Sequence, residues 1–378
     1  MIPSIHDERL RIVAISGRPI DSLGGAERSL ARLCKALSAH HDLQLLAPTT
    51  DGATITNDGR EDFYLYNDVM KKLESVGAVD IIYLGSHFML KTPTAFSRMK
   101  TLFPTAKLVL KETTAGKLIR VLARLEKQEA SQILRDLDAI VCTSYRIWHD
   151  YQYLSGFNGQ LELIPNGVDT RLFAPVTEET QTRIRRRLGL DTSRPLVIFS
   201  GRFAEKKNLD VIYGAWLDME RHFGDWAQLV LVGKIHKHYD AGIVRLMRED
   251  LRNVKFIGPF SRDEDLASCY QAADFFLAPT SREGLSNAFL EASACGLYPV
   301  VTAISGYEDV ITTPKSGMLV EERNTSDVIR CLKMLNLNPD TYRRYARDCL
   351  RPHIVSNHDI HHVAQLYHNL FTRLREVR

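Results

Sequence analysis

The chain has 378 residues, 44% hydrophobic and 25% charged, with 49 lysines and arginines set against 46 aspartates and glutamates. A net charge of +3 and this ordinary composition exclude a collagenous or disordered chain and give no electrostatic case for nucleic acid. No apolar run approaches the ~18–20 residues needed to span a bilayer, and the length suggests two domains.

The opening MIPSIHDERLRIVAIS carries acidic residues and no long apolar core, which reads against a signal peptide. Residues 11–16 form a first strand. Gly24-Gly25 then turns the chain into a helix from about Ala26, with Leu30, Leu33, Cys34 and Leu37 on one face. Glycine there lets the backbone approach a ligand, and the helix N-terminus favours an anion. Strands near 43–47, 80–84, 106–110 and 138–143 are each followed by helical pattern, which argues for a parallel, doubly wound sheet. The polar segment 51–62 reads as a loop.

The stretch 117–135 reads as one amphipathic, basic helix, whose outer face is solvated or meets a membrane surface or acceptor. DLD at 136–138 leads into a strand and DED at 263–265 opens a helix, so both read as structural. None of the six cysteines (Cys34, Cys142, Cys269, Cys295, Cys331, Cys349) forms a CxxC pair, and most lie among apolar residues. Buried reduced thiols of a cytoplasmic protein are expected.

LELIPNGVDTRLFAP at 161–175 has the turn chemistry of a domain boundary. A basic patch at Arg183 and Arg185–Arg187 follows and reads as solvated. Alternation restarts with strands near 195–200, 228–232, 254–257, 274–278, 298–302 and 317–320. After the first of these, SGRFAEKKN places Arg202 and Lys207 on either side of a tight turn, where fixed cations suit a diphosphate. His236 and His238 read as a polar loop rather than a metal site, because no third ligand accompanies them.

The stretch 273–303, ADFFLAPTSREGLSNAFLEASACGLYPVVTA, reads as strand, loop, helix and strand. Ser286 or Asn287 caps the helix, whose N-terminus suits a phosphate, and Gly296 closes it. Glu283 precedes the helix and Glu291 lies about one turn inside it. Carboxylates beside an anion site are poor phosphate partners and good acceptors for sugar hydroxyls.

Glu283, seven residues and Glu291, within SREGLSNAFLEASACG, resemble the signature of retaining GT-B glycosyltransferases of the family-4 type. GGAERSL, IPNGVD and the Arg202/Lys207 pair resemble three further elements of that family in the same order. The resemblance implies a GT-B α/β fold, with two Rossmann-like doubly wound parallel-sheet domains facing a central cleft. The domains expected are 1–166, completed by a returning helix at 353–378, and 167–352. It implies that Glu283 meets the transferred sugar and Glu291 the ribose, with Arg202 and Lys207 stabilising the leaving diphosphate. Gly24, Gly25, Gly201, Gly284, Leu285, Ser286 and Asn287 would hold the donor. Asn208 stands where the family more often has glycine. Many relatives carry a histidine near Lys111 and Glu112, which this chain lacks; His87 is a substitute on the acceptor side or a partly exposed loop residue.

The helical end at 353–375 has a broad apolar face (Ile360, Val363, Ala364, Tyr367, Leu370, Phe371, Leu374), with His358, His361 and His362 on one side. The function expected is retaining, metal-independent hexosyl transfer from a nucleotide-sugar co-substrate, UDP first and GDP second, with no cofactor. The acceptor would be a glycan, a lipid-linked precursor or a small molecule, met in the cytoplasm or at the inner membrane face. The alternatives are a nucleotide-sugar epimerase on the same fold and a non-catalytic partner subunit. A dinucleotide dehydrogenase would need a G-x-G-x-x-G turn that neither half shows.

Overall fold

A computed structural model describes residues 9–20, 24–49, 60–87, 89–235, 245, 251 and 253–376. It contains two compact units, one made of 1–165 with 361–378 and the other of 166–360.

The first unit is built on six parallel strands: β1 (Arg11–Ile15), β2 (Asp42–Leu46), β3 (Ile81–Leu84), β4 (Lys107–Glu112), β5 (Ala139–Cys142) and β6 (Gln160–Leu163), in the order β2-β1-β3-β4-β5-β6. Central strands such as IIYL and AIVC are buried at every position, as parallel strands covered on both faces must be. The helices of this unit are α1 (Gly25–Leu37), α2 (Arg60–Glu74), α3 (Pro93–Leu102), α4 (Lys117–Leu122), α5 (Lys127–Asp136) and α6 (Tyr145–Tyr151).

The second unit carries β7 (Leu196–Ser200), β8 (Gln228–Val232), β9 (Val254–Ile257), β10 (Phe275–Ala278), β11 (Tyr298–Thr302) and β12 (Met318–Val320), in the order β12-β11-β10-β7-β8-β9. Its helices are α7 (Glu178–Leu188), α8 (Leu209–Phe223), α9 (Asp263–Ala272), α10 (Asn287–Ala294), α11 (Thr325–Leu337), α12 (Pro339–Tyr345) and α13 (Arg351–His358). Helix α14 (Ile360–Glu376) returns to the first unit, where the Tyr367 hydroxyl lies 2.9 Å from that of Tyr83 on β3 and Phe371 packs edge-on against the same ring.

Both sheets reverse their strand order once, between β1 and β3 in the first unit and between β7 and β10 in the second. In open parallel sheets the ligand crevice lies outside the carboxyl ends of the strands at such a reversal. The fold therefore selects the loops after β1, β3, β7 and β10 before any chemistry is considered.

Several expectations need correction, among them the solvated reading of Arg185, which is buried and donates to Asp274 Oδ2 at 2.7 Å. The stretch 117–135 is two helices, because Glu126 and Glu129 form a capping box that starts α5 afresh. The end of the chain is also two helices. Asp359 is extended and its neighbours bond to Val168, with Val168 N–H to His358 O at 2.8 Å and Ile360 N–H to Val168 O at 2.9 Å. Residues 353–360 accordingly belong to the second unit, and only the chain from His361 onward to the first. His358 is buried in α13 while His361 and His362 are exposed on α14, so the three do not share a helix side. Within 51–62, residues from Arg60 onward are helical; the rest lies outside the described residues, as do His236 and His238.

Five cysteines are buried free thiols, and Cys349 is exposed. In DLD the Asp138 carboxylate accepts from Leu108 N–H at 2.8 Å, and in DED Asp263 begins α9. Among the described residues no helix is long and apolar enough to cross a membrane, and no group of three or more His, Cys, Asp or Glu is placed to hold a metal.

Candidate active site

The second unit assembles a charged cluster at its strand reversal. β7 ends at Ser200 and Gly201, where Arg202 stands exposed. The chain then makes a single 3₁₀ turn, Glu205–Lys207, before α8. Across the reversal, β10 runs into Pro279 and the loop that carries Glu283. Lys207 Nζ lies 2.6 Å from Glu283 Oε1, and Lys206 Nζ lies 3.2 Å from the same oxygen. Glu283 is 19% exposed. Burial pushes its carboxyl up, but the Lys207 and Lys206 ammoniums outweigh burial and hold it down to about 2. It is therefore a carboxylate, and an acceptor only, throughout the neutral range.

Asn208 sets this geometry. Its φ of 51° is left-handed, the conformation that makes glycine the common residue and asparagine the next best. Asparagine also supplies what glycine lacks, because Nδ2 donates to Pro279 O at 2.7 Å and to Ser281 Oγ at 2.8 Å. Ser281 N–H in turn donates to Lys206 O at 2.9 Å. These bonds tie the lysine turn to the Glu283 loop. Asparagine at this position thus combines a left-handed backbone with hydrogen bonds that glycine could not make.

Gly284 and Leu285 follow Glu283 into α10. Leu285 O accepts from Asn166 Nδ2 at 2.6 Å, which fixes the IPNGVD turn to this loop. Gly306, at φ +91°, comes so close that a β-carbon there would lie 2.6 Å from Gly284 O, so the loop is held from both sides. Ser286 occupies the N-cap in an extended conformation without a side-chain cap, and Asn287 opens the helix. The first N–H groups of a helix have no acceptor within it, and here they face the carboxyl edge of the sheet. Glu291 is only 4% exposed, and its Oε2 accepts from the Tyr270 hydroxyl of α9 at 3.1 Å. The glutamates differ accordingly: Glu283 is paired to cations in the loop, and Glu291 is sunk in the helix.

Gly24 and Gly25 lie in the first unit, at the cap and start of α1 after β1. His87 follows β3, and Lys111 and Glu112 end β4. His87 is 2% exposed, so it is no partly exposed loop residue. Its Nε2 lies 3.1 Å from Glu112 Oε2, which also accepts from the Tyr151 hydroxyl at 2.7 Å and Leu118 N–H at 2.9 Å. Burial alone would raise the Glu112 pKa; the His87 ring, Tyr151 and Leu118 N–H outweigh it and leave the group below the ordinary carboxylate value. Lys111 projects to the other face of the sheet, as successive strand residues do. Burial draws its ammonium down to about 8.

Sequence reasoning missed Lys206 and Tyr307. Lys206 was visible as the first half of a Lys-Lys pair. Tyr307 is fully buried against Phe289, with ring centroids 5.0 Å apart, and burial followed by the Glu283 charge pushes its hydroxyl well up. Nothing in its local sequence marks it.

Cations after one central strand and carboxylates after the next thus meet at the reversal of a doubly wound sheet, where such folds bind their ligands. Residues 180–348, within that unit, match the family described as Glycosyl transferases group 1. A GDP-mannose-dependent monoacylated alpha-(1-6)-phosphatidylinositol monomannoside mannosyltransferase of Corynebacterium glutamicum is 30% identical over 228 residues, 58% of this chain and 58% of that protein. A D-inositol 3-phosphate glycosyltransferase of Corynebacterium jeikeium is 28% identical over 219 residues, 56% of this chain and 48% of that one. The chain thus spans about half the length of the curated relatives it matches. Sucrose-phosphate synthase from Thermosynechococcus elongatus superposes over 98% of this chain and 100% of its own, at a TM-score of 0.78 and 19% identity. Anabaena HepE in complex with UDP-glucose does so over 97% and 100%, at 0.72 and 17%. These structures share the fold. Residues 180–348 thus carry the pattern of the group 1 glycosyltransferases, and the chain has the GT-B fold of these structures.

Proposed function

We propose that the chain transfers a hexose-type sugar from a nucleotide-sugar to an acceptor hydroxyl, with retention and without a metal. The observation that carries this reading is the Lys207–Glu283 pair at 2.6 Å, placed at the strand reversal with a helix N-terminus beside it. In the bound state the donor diphosphate takes the place of Glu283 as partner of Lys207, with Arg202 and Lys206 adding charge. Glu283, released from its ion pair and still ionised, accepts hydrogen bonds from the sugar hydroxyls. Glu291 and the α10 amides hold the nucleotide portion.

In the retaining route, the acceptor oxygen bonds to the anomeric carbon from the face the diphosphate leaves. The bond from that carbon to the phosphate oxygen breaks, and that oxygen takes the acceptor's proton. The protein supplies orientation and charge and no nucleophile. UDP is the first base expected and GDP the second, whereas the relative from C. glutamicum is named for GDP-mannose. GDP-mannose and UDP-glucose are therefore the first donors to compare. The same name supports a lipid-linked acceptor, and with it a reaction at the cytoplasmic membrane face is proposed.

Calorimetric titration with UDP, GDP and their sugars, without added metal, tests the reading. Saturable binding to one base, abolished in Arg202→Ala/Lys207→Ala, is expected. Absence of binding to either nucleotide overturns it, and consumption of donor to an isomeric sugar nucleotide would mark an epimerase instead.

A further inference from the structure

Lys111 is the one buried lysine among the described residues, 6% exposed near the end of β4. Its ammonium forms no hydrogen bond or ion pair among the described residues. The adjacent carboxylate is not its counter-ion. Glu112 lies on the opposite face of the strand, and its oxygens are engaged by Thr114 N–H, Leu118 N–H, Tyr151 and His87. On its own face the titratable group nearest in effect is the Cys34 thiol of α1, which burial pushes up to about 12 and which is therefore uncharged at neutral pH.

An unpaired ammonium inside a protein is costly, and structural lysines escape that cost by finding a carboxylate or by reaching into water. Lys111 finds no carboxylate among the described residues and, at 6% exposure, reaches water only slightly. Its position is the carboxyl end of a strand beside the β1/β3 reversal, the ligand edge of a doubly wound sheet. Buried hydroxyls stand at nearby strand ends, Ser16 beyond β1 and Thr143 beyond the adjacent β5, where they donate to Arg18 O and Glu112 O. A buried cation lacking an anion, at the ligand edge of the sheet, is the complement of an oxyanion rich in acceptors.

We propose that Lys111 anchors the phosphate group of a phosphorylated acceptor within the first unit. The inference rests on the transferase reading and adds the acceptor's chemical class to it. It accords with relatives whose names specify phosphatidylinositol monomannoside and D-inositol 3-phosphate. No covalent step is assigned to Lys111; it acts as a binding group.

The test uses the full chain with ¹³C-labelled lysine, the Lys111 signal being the one lost in Lys111→Met. Methionine is of similar length and removes a buried charge, so the fold is retained; Lys111→Arg serves as the charge-preserving control. Glycerol 3-phosphate should bind saturably and raise the titration midpoint of Lys111, because an anion favours its charged form. Affinity for this probe should fall at least tenfold in Lys111→Met and recover in Lys111→Arg, while the affinity for UDP or GDP stays unchanged. Sedimentation with phosphatidylinositol vesicles, against phosphatidylcholine vesicles, separates the two sources of phosphate. A Lys111-dependent difference there assigns a lipid acceptor, and a response to glycerol 3-phosphate alone assigns a soluble one. An unmoved Lys111 midpoint, with equal probe affinity in wild type and Lys111→Met, overturns the proposal. Loss of nucleotide binding in the wild type would instead overturn the transferase reading.

Discussion

The carboxyl edges of the two sheets handle charge in opposite ways. In the second unit two lysines share one glutamate in a loop, an ion pair that an incoming diphosphate can exchange into. In the first unit the carboxylate and the ammonium are neighbours in sequence, yet the strand sends them to opposite faces. Glu112 is saturated with hydrogen bonds, and the Lys111 ammonium makes none among the described residues. A charge already paired in an accessible loop marks a site that exchanges partners. A saturated buried charge marks a structural support, and an unsaturated one marks a place for a ligand.

The strongest way to break this contrast is Lys207→Ala, which should lower kcat roughly 100- to 1,000-fold in a donor-consumption assay, as loss of a charge-stabilising donor does. A fall of less than threefold would show the ion pair to be architectural. Glu112→Ala should act on stability instead. It leaves buried donors unmet and should cost about 3 kcal/mol, read as faster amide exchange in β4 with β7 amides unchanged. Asn208→Ala should cost about 2 kcal/mol from lost hydrogen bonds and a strained left-handed backbone. Asn208→Gly keeps the backbone and should cost about half that, in urea unfolding followed in the second unit. Equal costs would mean that the backbone shape contributes nothing.

Glu291→Ala should weaken donor binding roughly tenfold by calorimetry, the loss of one buried charge-assisted hydrogen bond. The smallest effect concerns acid. Glu283 is held to about 2 against an ordinary 4.5, so its contribution is fully present above about pH 5 and disappears as pH falls towards 2. The stability difference between wild type and Glu283→Gln should therefore shrink across that window by on the order of 1 kcal/mol, allowing for partial exposure. A difference independent of pH would remove the electrostatic account of the pair.

The candidate site of the second unit was legible because its residues sit in short contiguous stretches. Strand, loop and helix follow one another within 273–303, so one reading places Glu283, the helix N-terminus and Glu291 together. The strands of both sheets were likewise visible as apolar runs separated by turn chemistry. What escaped depends on packing across long separations. The break at Asp359 arises from bonds to Val168, and the new start of α5 at Glu126 hides inside an unbroken amphipathic pattern. His87 reads as a loop residue until the structure buries it against Glu112, 25 positions along the chain. Lys111 and Glu112 look alike as a charged pair, and only the alternation of β4 separates their fates.

The return of α14 to the first unit has a consequence for synthesis. Tyr83 and its neighbours on β3 meet Tyr367 and Phe371 only after the whole of the second unit has left the ribosome. The second unit is contiguous in sequence and can finish as it emerges, whereas the first waits with an apolar face of its sheet uncovered. During that interval the nascent chain presents the surface that chaperones bind, and a stall beyond residue 360 would strand the first unit one helix short of completion.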